Sequence, residues 1–78
     1  MKKQFKIGEY AVGGIIAVEI LPRHVTINAL EYHTKRPIPF CWESFKHDEI
    51  SDMDECLNRL TTSYYADKIL TFIKQKMN

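Results

Sequence analysis

The side chains here that could hold a metal ion are His24, His33, His47, Cys41, Cys56, Asp48 and Glu49. A metal site needs such groups to converge on one point. Their spacing works against this. Cys41 and His47 are separated by a stretch that reads as extended chain, and His24 and His33 lie at opposite ends of one expected strand, about 30 Å apart at the usual rise per residue. No Cys-x-x-Cys or His-x-x-x-His occurs. The sequence therefore predicts no metal site and no cofactor.

Covalent catalysis would require a cysteine or serine beside a histidine, with the nucleophile's pKa lowered by its surroundings. Cys41 is expected on the strand face opposite Phe40 and Trp42, hence partly exposed, but no neighbouring charge activates it. Cys56 falls on the apolar stripe of a helix, where it serves packing. The run Asp48-Glu49-x-x-Asp52-x-Asp54-Glu55 is acidic throughout. It lacks the order and glycine of a calcium loop. It suits a helix start, where the dipole favours negative charge, or a patch that docks on a basic partner. Gly13-Gly14 is followed by an apolar strand rather than by Lys-Ser/Thr, which excludes a phosphate loop. An enzyme is the weakest of the functions considered.

Binding fits more readily. Tyr10, Tyr32, Tyr64 and Tyr65 exceed what the core needs, and tyrosine is favoured at interface hot spots. With Lys35, Arg36, Asp48, Glu49 and Asp52 they form the expected partner-binding set. The edges of a small sheet also accept partner strands. The first expectation is thus a protein-interaction module, such as a phage- or plasmid-type inhibitor or adaptor that binds a larger host or cognate protein. A homodimer through the same surfaces is an alternative. The second expectation is a nucleic-acid-associated regulator. Lys2, Lys3, Lys6, Arg23, Lys35 and Arg36 accompany Tyr10, Tyr32, Phe40 and Trp42, and aromatic side chains flanked by cations make a stacking platform for single strands. This reading ranks lower because so small a domain is expected to need Phe40 and Trp42 in its core.

The elements that must position these residues follow from length and periodicity. The chain has 78 residues, 45% of them hydrophobic and 27% charged, with a net charge of +1. That composition supports one domain spanning 1–78, with a single core. The charge is uneven: residues 1–46 sum to +3 and residues 47–78 to −2. Two cysteines, no apolar leader segment and no apolar run long enough to span a bilayer predict a reduced, cytoplasmic protein. A Cys41–Cys56 bridge is the less favoured alternative.

Phe5 and Ile7 alternate with Lys6 and Gly8 as in a short strand. Ile15–Leu21 and Val25–Tyr32 are full strands around the turn Leu21-Pro22-Arg23-His24. Leu30 and Tyr32 are too apolar for a wet face, which implies a bulge or partial cover there. Ile38, Phe40 and Trp42 alternate with Pro39, Cys41 and Glu43 in a further strand, whose prolines place its start at an edge. After Asp48 the period changes. Met53, Cys56, Leu57 and Leu60 form one helical stripe, with Ser51 as the expected N-cap. Thr61-Thr62-Ser63 interrupts it, and Tyr65, Ile69, Phe72 and Ile73 form a second stripe out of phase with the first.

The sequence therefore predicts an α+β fold. An N-terminal antiparallel meander of three to four strands, over about 4–45, is packed on one face by two C-terminal amphipathic helices, about 51–60 and 63–77. The expected core is Ile16, Val18, Ile20, Val25, Ile27, Phe40, Trp42, Leu57, Leu60, Ile69 and Phe72, with Trp42 its largest single contribution.

Overall fold

Four antiparallel strands lie in the sheet in their order along the chain, and both helices cover the same face. The computed structural model describes all 78 residues. The strands are β1 (Lys2–Lys6), β2 (Gly14–Ile20), β3 (His24–Glu31) and β4 (Pro37–Lys46), followed by α1 (Ile50–Leu60) and α2 (Ser63–Met77). A single 3-10 turn, Gly8–Tyr10, follows β1. The α+β architecture read from the sequence is the observed one. Neither helix is long and apolar enough to cross a membrane.

Each element follows from local chemistry. In β2 and β3, β-branched side chains alternate so that Ile16, Val18, Val25 and Ile27 enter the core together with Ala29. Pro22 and Arg23 form the tight connection, closed by the Leu21 N–H donating to the His24 carbonyl at 2.8 Å. Gly13 and Gly14 both adopt positive φ, and a side chain on either would collide: a Cβ on Gly13 would lie 2.6 Å from the Leu30 carbonyl oxygen. In α1 the stripe of Met53, Cys56, Leu57 and Leu60 is buried, and in α2 Ala66, Ile69, Leu70 and Ile73 are. These side chains and the inner face of the sheet make one apolar core.

Several boundaries differ from the sequence reading. Helix α1 begins at Ile50, with Glu49 rather than Ser51 in the capping position, and no side chain caps it. Glu49 is engaged elsewhere, its Oε1 accepting the Lys46 N–H at 2.7 Å. At the second helix Thr62 holds the cap position, again without a side-chain bond, while the Ser63 hydroxyl donates to Asn58 Oδ1 at 3.1 Å.

The main correction concerns Phe40 and Trp42. Neither is in the core: Trp42 is 59% exposed and Phe40 fully so. Phe45 fills the inward position on β4 instead. Two other expected core residues, Ile20 and Phe72, are half-buried at the core's rim, Phe72 edge-on to Phe5 with ring centroids 5.5 Å apart. The cause of the β4 reversal is a bulge. Leu30 pairs with Pro37, whereas Asn28 pairs with Trp42, so Ile38–Cys41 stand opposite Ala29 alone. An odd register shift moves every later side chain to the other face. Phe40, at the bulge, has a φ of 64°, and Lys35 of the preceding turn has one of 62°. Cys41 is consequently turned toward the helices, half-buried against the core, rather than outward.

Candidate functional site

The face of the sheet away from the helices is uncovered, and the pairing arranges its side chains in rows across the strands. One row reads Gln4, Ala17, Asn28, Trp42 from β1 to β4. A second reads Lys2, Glu19, Thr26, Ser44, and a third begins Lys6, Ile15, Leu30. Ala17 contributes almost no side chain, so the first row sinks in its middle. The result is a dish of about 260 Å³ lined by the first row and by Lys2, Glu19 and Thr26 of the second, with Lys3, Val18 and Leu30 beside them. Trp42 forms one wall and the β1 side chains the other.

The dish has a mixed chemistry. Its floor is firm, because Ile15 and Leu30 beside it are buried although they sit on the open face. Gln4 and Asn28 supply carboxamides, each with donors and an acceptor, and neither makes a hydrogen bond within the chain. Lys2 contacts Glu19 at 3.9 Å, a loose and exposed ion pair that contributes little to stability. Lys6 and Lys46 lie on the same face at register positions opposite Ile15 and His24. Glu43, by contrast, belongs to the helix side, where Arg59 binds its Oε1. The open face thus carries three lysines and one carboxylate.

The residues expected to bind a partner fall into three groups. Tyr10, Tyr65 and Tyr64 come together as an aromatic ladder, with centroid separations of 5.8 and 5.0 Å, and the Lys68 ammonium lies 4.9 Å from the Tyr64 ring. Tyr32 and Lys35 meet at the β3–β4 turn, the Lys35 ammonium 5.1 Å from the ring and donating to the Tyr32 carbonyl at 2.6 Å; Arg36 is exposed beside them. In the same turn the Glu31 carboxylate accepts the Thr34 and His33 N–H groups at 2.7 and 2.8 Å. These bonds hold its pKa below the ordinary value, the Thr34 bond foremost. Asp48, Glu49 and Asp52 lie at the other end of the sheet, where β4 passes into α1. There the His47 ring, at 2.8 Å from the Leu21 carbonyl, donates through Nε2. The structure therefore gathers the three tyrosines and separates them from the acids.

Sequence reasoning missed Gln4, Ala17, Thr26 and Asn28. The signal available was the polar alternation of Thr26 and Asn28 against Val25 and Ile27, which marks an unburied face without saying what uses it.

The two cysteines line a second, smaller cavity of about 180 Å³ with Phe40, Glu43, Arg59 and Leu60. Both are free thiols. Burial first, and the Glu43 charge second, push the Cys56 thiol up to about 11, the reverse of what a nucleophile requires. No histidine lines this cavity, and no three metal-ligating side chains converge anywhere. The chain matches no protein-family model, no curated protein and no solved structure.

Proposed function

We propose that the chain binds single-stranded nucleic acid on the open face of its sheet. The observation that carries this reading is the position of Trp42, exposed beside a row of unengaged polar groups on a face with three lysines and one carboxylate. Phe40 and Trp42 lie outside the core and are free to contact a ligand. An exposed indole offers a stacking surface to any unpaired base, at about 1–3 kcal/mol per base. Lys2, Lys6 and Lys46 supply the phosphate-facing charge. A duplex offers no free base face to Trp42, so single strands are the preferred form.

The test is titration of a short labelled oligonucleotide, read by anisotropy and by quenching of Trp42, the only tryptophan in the chain. Binding should weaken steeply with salt. Affinity for single strands no higher than for a duplex would reject the reading.

A second reading, a protein-interaction module of the inhibitor or adaptor kind, is supported by the free edge of β4. Antiparallel ladders alternate bonded and non-bonded pairs. The Glu31 N–H donates to the Arg36 carbonyl, so the odd residues of β3 bond toward β4 and leave the backbone groups of Trp42 and Ser44 facing outward. Pro37 and Pro39 have no N–H, and Glu49 occupies the N–H of Lys46. The open edge is therefore short, but a fully exposed Phe40 stands beside it. Salt-insensitive capture of a protein partner that is lost in Phe40→Ser would favour this reading over nucleic acid. Sedimentation of the isolated chain would show whether that partner is a second copy.

A further inference from the structure

Cys41 and Cys56 belong to different elements, and a neighbouring pair of side chains holds those elements together. Glu43 lies two residues after Cys41 on the helix-facing side of β4, and Arg59 lies about one turn after Cys56 on α1. Arg59 bonds Glu43 directly, so β4 is pinned to α1 one step along from the two thiols. Both thiols line the same small cavity of about 180 Å³, with Val12, Phe40 and Leu60 as its apolar walls. They are close enough for a charge on Cys41 to act on Cys56. Cys41 is half-buried and Cys56 is buried, so Cys41 is the thiol that a reagent in solution reaches first. No third metal-ligating side chain joins them, which leaves the pair short of the four ligands of a structural zinc site.

We infer that Cys41 and Cys56 form a reversible modification site, a dithiol that glutathione disulfide closes into a bridge between β4 and α1. The Cys41 thiolate attacks one sulfur of glutathione disulfide, which forms a mixed disulfide and expels one glutathione thiolate. The Cys56 thiolate then attacks the Cys41 sulfur and expels the second. Two protein thiols are oxidised, one glutathione disulfide is reduced to two glutathione molecules, and the protons lost by the cysteines end on the glutathiones. The bridge is uncharged, so it suits the apolar cavity and places no second negative charge beside Glu43. The same surroundings slow the second step. Burial and the Glu43 charge keep the Cys56 thiol protonated, with only partial relief from Arg59. Closure is therefore a response to sustained oxidation. It ties the irregular segment Ile38–Cys41, which carries Phe40, to the helix. This inference does not depend on what the open face binds.

The experiment incubates the full reduced chain with mixtures of glutathione and glutathione disulfide and follows its mass. The folded chain should pass through an adduct of one glutathione and end two hydrogen atoms lighter, as a monomer that dithiothreitol restores. Cys56→Ser should stop at the adduct, and Cys41→Ser should stay unmodified while folded. The equilibrium supplies a second readout. The cysteines are fifteen positions apart, and a bridge across a loop of that size that fits the native geometry should form about a hundredfold more favourably in the folded chain than in urea. That comparison needs no substitution, so it stands even if a variant does not fold; circular dichroism checks each variant. Equal constants in buffer and in urea would overturn the inference. So would a stable adduct in the unmodified folded chain, a disulfide between two chains as the main product, or thiols that stay unmodified in the folded chain and oxidise only in urea.

Discussion

Asn28 and Trp42 face each other across the β3–β4 ladder, one register step before the bulge that turns Phe40 into solvent. A carboxamide and an indole are thereby held side by side on the uncovered face by backbone pairing. Both belong to strands whose opposite faces are anchored in the core by Ile27 and Phe45.

Replacing Trp42 with alanine should separate binding from stability. The side chain is 59% exposed, so the thermal midpoint should change by no more than a surface substitution allows, about 0.5 kcal/mol. Oligonucleotide affinity should fall by about ten- to a hundredfold, the equivalent of one lost stacking contact. Calorimetric melting and anisotropy on the same preparation check both halves.

The salt slope should count the phosphate contacts. Single-strand binding that uses Lys2, Lys6 and Lys46 should give a slope of log K against log salt near −2, from about −0.7 per contact. Changing any one of the three to alanine should make the slope shallower by about 0.7. Salt titrations of the three variants measure this directly.

Core truncation should behave differently from both. Ile27 and Leu57 are fully buried where the sheet meets α1. Ile27→Ala or Leu57→Ala should cost about 2–5 kcal/mol, a large share of the roughly 5–15 kcal/mol that stabilises a domain. Urea denaturation followed by far-ultraviolet circular dichroism is the appropriate measurement.

Two titrations should appear in the pH dependence of stability. The folded state lowers the Glu31 pKa below its ordinary 4.5 because the ionised carboxylate accepts N–H groups of its own turn. Its contribution is therefore present above pH 4.5 and is lost as pH falls through the lower folded value. Glu31→Gln should flatten this acidic limb. Cys56 has the opposite sign. Its folded pKa rises from 9.0 to about 11, so the protonated thiol favours folding below pH 9 and that contribution declines between pH 9 and 11. Cys56→Ala should remove this alkaline decline, though it also opens a small cavity. Urea midpoints collected across pH for both variants test the assignments.

The helical half of the fold was legible in the sequence because its two stripes are long, out of phase and separated by Thr61-Thr62-Ser63. In the sheet, β2 and β3 were legible because β-branched residues occupy one face of each. β4 was not, and the reason is specific. Continuing the ladder regularly from Leu30–Pro37 would place Cys41 outward and Trp42 inward, which is the sequence-based expectation. The bulge at Ile38–Cys41 shifts the register by an odd number and reverses that assignment. Its irregular backbone, including a phenylalanine at positive φ, left no glycine to mark it. The candidate site was only partly legible for a related reason. Tyrosines attract notice by type, and three of them do cluster, whereas Asn28 and Ala17 matter only through their neighbours across the ladder.

One connection reaches much further along the chain than the hairpins do. Ala11 bridges Thr61, the Val12 N–H donates to the Leu60 carbonyl at 2.8 Å, and the Thr61 hydroxyl donates to the Tyr10 carbonyl. These contacts clasp the segment after β1 to the corner between the helices. Closing a loop of about fifty residues carries a larger entropic cost than closing any of the turns, so this clasp should be among the last features to form and the first to open. Hydrogen exchange at the Val12 amide would then report the release of β1 separately from unfolding of the whole molecule.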